Sequence, residues 1–272
     1  MTTLTAPSYD ILPANAAIKF EGSSERRTLT VPANTQISLI EKYAAQSAGI
    51  YSTQTALTVT LEDHAKLTHY KIVQEGAQAS HHSSVEVHVG ASATYHSHVF
   101  LLGGFHLRNT IHVRLHGEHA ECMLNGLYLA SHDQKMENHT LIDHVKPHGT
   151  SRELYKGILD DQAQGVFDGL IIVQKDAQKT DSAQTNKNLL LSTKAKAVTN
   201  PELKIFANDV KCKHGATIGQ LSPDQMFYLR SRGLSQEQAR RLLIHAFASE
   251  MIQFVEIPEL RDQLQHHVED RA

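Results

Sequence analysis

The stretch Leu57-Thr-Val-Thr-Leu-Glu-Asp-His-Ala65 joins an alternating apolar segment to a polar turn that ends on alanine. Alternation with a period of two sends Leu57, Val59 and Leu61 to one side of an extended chain and Thr58 and Thr60 to the other. The same pattern returns in Val85-Glu-Val-His-Val89 and Ile111-His-Val-Arg-Leu115. Polar turns separate such segments at Glu75-Gly76, Gly103-Gly104, Gly117-Glu118 and Asp160-Asp161. The turns keep time: Ala65, Ala79 and Ala93 follow one another at 14 residues, Ala120 comes 27 later, and Ala163 and Ala177 are again 14 apart. Self-similarity at a fixed period is the mark of a solenoid. A 14-residue unit accommodates two strands of about five residues with two short turns. A coiled β-solenoid therefore fits better than a sandwich, whose strand spacings need not repeat.

The texture changes after Lys213. Ser222-Pro-Asp-Gln225 is a helix start, with Ser as N-cap and Pro at the first helical position. That helix is expected to run through Met226, Tyr228 and Leu229 and stop near Gly233. Ser235 and Gln238 form a second capping box, after which Leu242, Leu243, Ala246, Phe247, Met251 and Phe254 recur at helical spacing. The stripe Leu242, Leu243, Ala246 and Phe247 is expected on the solenoid end, with Arg240, Arg241, His245 and Gln253 outside. Pro258 limits this helix, and a short polar helix follows to His267. The expected division is an N-terminal extension over 1–17, a β-solenoid core over 18–215 and a helical region over 216–272.

The 272 residues are 40% hydrophobic and 20% charged, enough for a packed core. A net charge of −3 gives no electrostatic case for nucleic acid. No apolar run reaches about 18 residues, so no membrane span is expected. The opening Met1-Thr-Thr-Leu-Thr-Ala-Pro7 lacks the basic and apolar regions of a signal peptide. Cys122 and Cys212 are too few for a disulfide framework and are expected as free thiols in the cytoplasm. No Gly-rich phosphate loop and no Gly-x-Ser-x-Gly elbow is present, so the chain is expected neither to bind ATP nor to catalyse.

Of the 19 histidines, 15 lie between His64 and His148. Most take polar positions of alternating strands, where a solvated face explains them. His96-x-His98 lacks the following glutamate of a cupin metal motif. Cys122, inside the apolar run Ala120-Glu-Cys-Met-Leu124, is expected to be a buried small hydrophobe. Cys212 and His214 differ: at i and i+2 on a strand both leave one face, about 6.5–7 Å apart along the chain. A thiolate and an imidazole so placed suit iron or zinc, and two ligands leave the site for a partner chain to complete.

Several runs are more particular than generic β-structure. They are Asn125-Gly-Leu-Tyr-Leu129, Ser151-Arg-Glu-Leu-Tyr-Lys-Gly157, Gln184-Thr-Asn-Lys-Asn-Leu-Leu-Leu-Ser192, Asn208-Asp-Val-Lys-Cys-Lys-His-Gly-Ala-Thr217 and Phe227-Tyr-Leu-Arg-Ser-Arg-Gly233. In this order and spacing the chain resembles the SufB/SufD family of SUF iron–sulfur cluster assembly proteins over roughly residues 50–255. Cys212, His214, Gly215, Ala216 and Thr217 match the SufD branch. SufB typically carries glutamate where this chain has Gly215, and tends to have cysteine where it has Leu229.

The resemblance implies a right-handed parallel β-helix and a non-catalytic scaffold role. It implies pairing with a SufB-like subunit through the solenoid end and docking of a SufC-like ATPase on the C-terminal helices. Tyr228, Arg230, Arg232, Leu242, Leu243 and Phe247 are the candidate partner contacts. No tightly bound cofactor is expected in the isolated chain, and iron or a cluster passes transiently through the complex, with Cys212 and His214 at the shared interface. Alone, the chain is expected to form a homodimer. The competing assignments are a carbohydrate-active β-helix enzyme, which is usually exported and carboxylate-rich, and a self-polymerising structural solenoid, whose stacking the helical tail would block.

Overall fold

A computed structural model describes residues 16–19, 24–45 and 49–271. Residues 1–15, most of the expected N-terminal extension, lie outside the described residues.

Two parallel sheets face each other. The eight-stranded sheet holds the odd-numbered strands in order: β1 (Ala16–Lys19), β3 (Gln36–Ala44), β5 (Lys66–Gln74), β7 (Thr94–Gly103), β9 (Glu121–Ala130), β11 (Thr150–Leu159), β13 (Asp181–Leu190) and β15 (Lys211–Gln220). The seven-stranded sheet holds the even-numbered ones: β2 (Ser24–Val31), β4 (Ser52–Leu61), β6 (Ser80–Val89), β8 (His106–Leu115), β10 (Lys135–His144), β12 (Gln164–Val173) and β14 (Lys196–Ile205). The chain alternates between sheets, so each strand pairs with strands one coil away: Lys66 with Thr94, Thr150 with Asp181. The fold is a parallel β-solenoid followed by three helices.

The 14-residue rhythm is thus half a coil, not a pair of five-residue strands. Most strands run to ten residues, and strand plus turn fills the 14.

The turn rhythm has a stereochemical cause. His64, Ser92, His119, His148, Asp161 and Lys179 have positive φ between 49° and 63°. Asn, Asp and His enter that region more readily than other non-glycine residues, which accounts for several of the turn histidines. The turns stack: the amides of His64, Ser92, His119 and His148 donate to carbonyls of Ala91, Glu118, Pro147 and Gln178 in the next coil. Just beyond several of the bends a small residue tucks inward. Ala65, Ala79, Ala93, Ala120, Ala163 and Ala177 are all buried.

Two cores result. The inner one fills the solenoid with Val59, Leu67, Val87, Tyr95, Ile111, Leu124, Phe167 and their neighbours. The second lies outside the eight-stranded sheet, where Tyr70, Ile72, Phe100, Leu102, Leu127, Leu129, Ile158 and Leu189 meet the helices. The helices are α1 (Pro223–Ser231), α2 (Gln236–Ile252) and α3 (Pro258–Arg271). Both expected N-caps form: Ser222 Oγ accepts from Gln225, and Ser235 and Gln238 make a reciprocal capping box.

The helical face is a correction. Helices α2 and α3 lie along the flank of the eight-stranded sheet rather than on the solenoid end, and the buried residues of α2 are Ala239, Ile244, Ala248, Met251 and Ile252. Leu242 is exposed, and Leu243 and Phe247 are half-buried. The outer face of the sheet is apolar from Ile40 and Tyr70 to Ile158 and Leu189, and the helix packs against that cluster. Polar clamps set the rotation: Lys156 Nζ donates to the Phe247 carbonyl at 2.8 Å and pairs with Glu250, and Arg240 pairs with Asp160 at 2.7 Å. Arg240 is therefore half-buried, not outside. Among the described residues no helix is long and apolar enough to cross a membrane.

Candidate functional site: the open end of the solenoid

Strand β15 ends the eight-stranded sheet and β14 ends the seven-stranded one, so both expose one edge at the same end. Pro201 sits in the middle of β14 and has no amide proton to offer a further strand. Strand β15 has no proline, which leaves it as the edge competent to extend the sheet. Apolar side chains gather here in solvent: Val198, Ile205, Phe206 (62% exposed), Ile218 and, on α1, Phe227 (76% exposed). Edges of this kind are ready templates for another chain.

Cys212 and His214 lie on β15, in register with Ser182 and Gln184 of β13. Ser182 and Gln184 are buried, so the pair continues two inward-facing rows to the mouth of the solenoid. Cys212 is half-buried against the inner core and His214 is exposed. Burial pushes the Cys212 thiol up, assisted by the Asp181 charge, against a weaker pull from Ser182. The thiol is accordingly the resting form, and a bound cation would be needed to draw out the thiolate. The donors suit a soft or borderline metal. Among the described residues no group of three or more His, Cys, Asp or Glu side chains is placed to hold a metal ion.

Gly215 follows the pair. A Cβ added there would meet nothing within 4 Å. Gly215→Glu should therefore leave stability within about 0.5 kcal/mol of the parent, as thermal melting would show. A drop of several degrees would mean that the mouth is tighter than its open surface indicates.

The remaining candidates divide. Tyr228, Arg230 and Arg232 stand in solvent on and just after α1, which buries no residue, and the Arg232 guanidinium lies 5.3 Å from the Tyr228 ring centroid. Leu242 shares that exposure. Phe247 is engaged within the chain, its ring lying under the Lys156 ammonium at 4.4 Å.

Both cysteines are free. Cys122 is wholly buried and its thiol is pushed well up by that burial. Four histidines depart from the solvated-face expectation: His69, His81, His98 and His144 are buried. His98 is sandwiched between Tyr70 and Phe254, at 5.2 and 6.0 Å between centroids, where burial holds it neutral down to about 3. His69 belongs to an interior network in which Glu41 Oε2 lies 2.9 Å from His69 Nε2 and 3.5 Å from Lys71 Nζ. Burial alone would raise Glu41, but Lys71 and His69 outweigh it and hold the carboxyl at about 2. The partners satisfy one another, which marks the network as structural. Its sequence signal is Lys71 in phase with the inward-facing Leu67 and Val73.

A family model described as the SufBD core domain of the SUF system for FeS cluster assembly matches residues 14–247. The chain is 35% identical over 239 residues to the iron-sulfur cluster assembly protein SufD of Escherichia coli, covering 88% of this chain and 56% of that protein. It is 34% identical over 255 residues to an iron-sulfur cluster assembly SufBD family protein of Synechocystis, covering 91% and 56%. A SufBD family protein of Mycobacterium tuberculosis is 32% identical over 232 residues, covering 82% and 58%. The chain thus spans a little over half the length of these relatives. On the match over residues 14–247, carried by the coils and the mouth just described, the chain belongs to the SufBD family of SUF iron–sulfur cluster assembly proteins.

Proposed function

We propose that the chain acts as a SufD-like, non-catalytic scaffold in SUF cluster assembly in the cytoplasm. The open β15 edge pairs with a SufB-like subunit, and a second copy of this chain takes that place when the partner is absent. A SufC-like ATPase docks on the exposed surface of α1 with Leu242. Iron or a nascent cluster is cargo, held transiently between chains with Cys212 and His214 contributing from this side. One observation carries this: a thiol and an imidazole sit beside an unpaired strand edge at the mouth of the solenoid. Two ligands at an open edge are incomplete alone and become useful when a second strand closes against them.

The test is co-expression with the SufB-like and SufC-like partners, followed by iron and sulfide analysis of the purified complex. His214→Ala is expected to lower cluster content severalfold with little change in melting temperature, since its side chain is exposed. Cys212→Ser should lower it equally or less, because the imidazole remains. Full cluster content in both variants would make the pair structural. An assembled complex that lacks cluster only in the variants supports the site, whereas failure of the unmodified chain to assemble would overturn the partner assignment itself.

A further inference from the structure

The open end of the solenoid differs in charge from the rest of the molecule. Between Leu191 and Gln220 the chain carries Lys194, Lys196, Lys204, Lys211 and Lys213 against Glu202 and Asp209, a surplus of three positive charges, whereas the whole chain stands at −3. All five lysines are exposed. The carboxylates around them are already engaged: Asp209 pairs with Lys179, Asp181 with Arg152 at 2.9 Å, and Glu202 accepts from Asn200 at 3.1 Å. None of the five lysines has an ion-pair partner among the described residues.

Strand alternation separates this charge from the apolar surface. On β15, Cys212 packs on the inner core and His214 and Ile218 share its phase, so Lys211 and Lys213 leave the outer side. On β14, Ala197 and Leu203 pack on that core, so Lys196 and Lys204 leave the outer side. Lys194 stands in the turn just before β14. The end surface therefore has a middle with Ile205 and Ile218 in solvent and a cationic rim. An apolar centre within a polar rim is the anatomy of a protein interface. A phosphate backbone needs no exposed isoleucines, and an unpaired strand edge gives it nothing to pair with.

The charge ranks the chains that can close this edge. A second copy meets it through a two-fold axis, which sets the same surface on both sides and brings one cationic rim against the other. Neighbouring strands lie about 4.8 Å apart, well inside the screening length of about 8 Å at physiological salt, so the two rims repel. Lysine on an edge strand is a brake on pairing between copies. A partner with carboxylates around its own edge gains from the same contact.

We propose that the five lysines are the specificity determinants of the open end. They select a subunit whose strand edge is rimmed by Asp and Glu, and they hold self-pairing to a weak, salt-assisted association. Selection of this kind uses the repulsive element as much as the attractive one. The proposal rests on the reading above that β15 pairs with another subunit, and it adds the chemistry of that subunit's edge.

Sedimentation of the full chain, alone and mixed with the SufB-like subunit, tests it over a salt range that shortens the screening length from about 14 Å to about 4 Å. Self-association is expected to tighten with salt, and pairing with the partner to weaken. A variant combining Lys194→Gln, Lys196→Gln, Lys204→Gln, Lys211→Gln and Lys213→Gln is expected to self-associate about tenfold more tightly at low salt and to bind the partner about tenfold more weakly. Both salt dependences should largely vanish in it. Its melting temperature should match the parent, since all five positions are exposed. Lys211→Gln with Lys213→Gln is the smaller variant and should move both affinities in the same directions. Pairing that forms but ignores both salt and the lysines overturns the rim alone. No pairing of the unmodified chain at any salt, with the variant monomeric as well, overturns the pairing reading and the rim together. Heparin binding that is lost in the variant while both pairings stay unchanged assigns the lysines to a polyanion and overturns the proposal.

Discussion

A chain cut after residue 221 is expected to elute as soluble aggregate and to bind a hydrophobic dye strongly, with loss of the cooperative thermal transition of the parent. The cut removes α1, α2 and α3 and uncovers Tyr70, Ile72, Phe100, Leu102, Leu127, Leu129, Ile158 and Leu189, all now buried. Each large apolar side chain returned to water costs about 1.5–3 kcal/mol, so the eight together are comparable to or larger than a typical domain stability of about 5–15 kcal/mol. The contiguous patch would also exceed what soluble monomers tolerate. A monodisperse truncated chain with an unchanged transition would show the helices to be an appendage. Loss of ATPase binding on such a cut therefore says little about docking. Substitutions on the solvent face, such as Tyr228→Ala or Arg230→Ala, separate docking from folding because α1 buries no residue.

The second large effect lies inside. Glu153→Gln is expected to stabilise the fold at pH 8 by about 3 kcal/mol and to leave it unchanged at pH 4. Burial raises the Glu153 carboxyl from 4.5 to about 7. Below 4.5 the folded and unfolded chains are both protonated, and the group has no effect on the difference between them. Between 4.5 and 7 the unfolded chain releases the proton while the folded chain keeps it, so stability falls as pH rises. Above 7 both are ionised and the full penalty persists, about 1.4 kcal/mol for each pH unit of displacement. Glutamine keeps the oxygen that accepts from Gln184 and cannot ionise. Urea unfolding of both chains at several pH values measures the difference. A pH-independent gap would locate the effect in packing rather than in the proton.

The sequence showed the strands and caps clearly and the burial of α2 poorly. Alternation at Leu57–Leu61 and Val85–Val89 is legible because those strands belong to the seven-stranded sheet, whose outer face is solvated. Strand β5 is buried on both faces, from Leu67 to Val73, so its alternation is erased. Helix α2 carries two stripes at helical spacing, Leu243 with Phe247 and Ile244 with Ala248, Met251 and Ile252. Only the sheet beneath decides which stripe is covered. The candidate pair Cys212 and His214 was legible because two residues apart on a strand fixes a shared face. The burial of Glu153 and Gln184 was not, because both read as ordinary polar positions until the coil turns them inward. Its signal was phase: Glu153 keeps step with the apolar Tyr155, and Gln184 pairs with it one coil on.

Each strand here hydrogen-bonds only to the coil before and the coil after it. Order in such an array is handed from neighbour to neighbour, and a terminal unit receives it from one side alone. Strand β15 is that unit, nearly every residue of it in solvent. It is where unravelling begins, and hydrogen exchange should climb in steps from β11 through β13 to β15. A strand laid against β15 turns a boundary into an interior. The rigidity of Cys212 and His214 is then set by the neighbour they acquire.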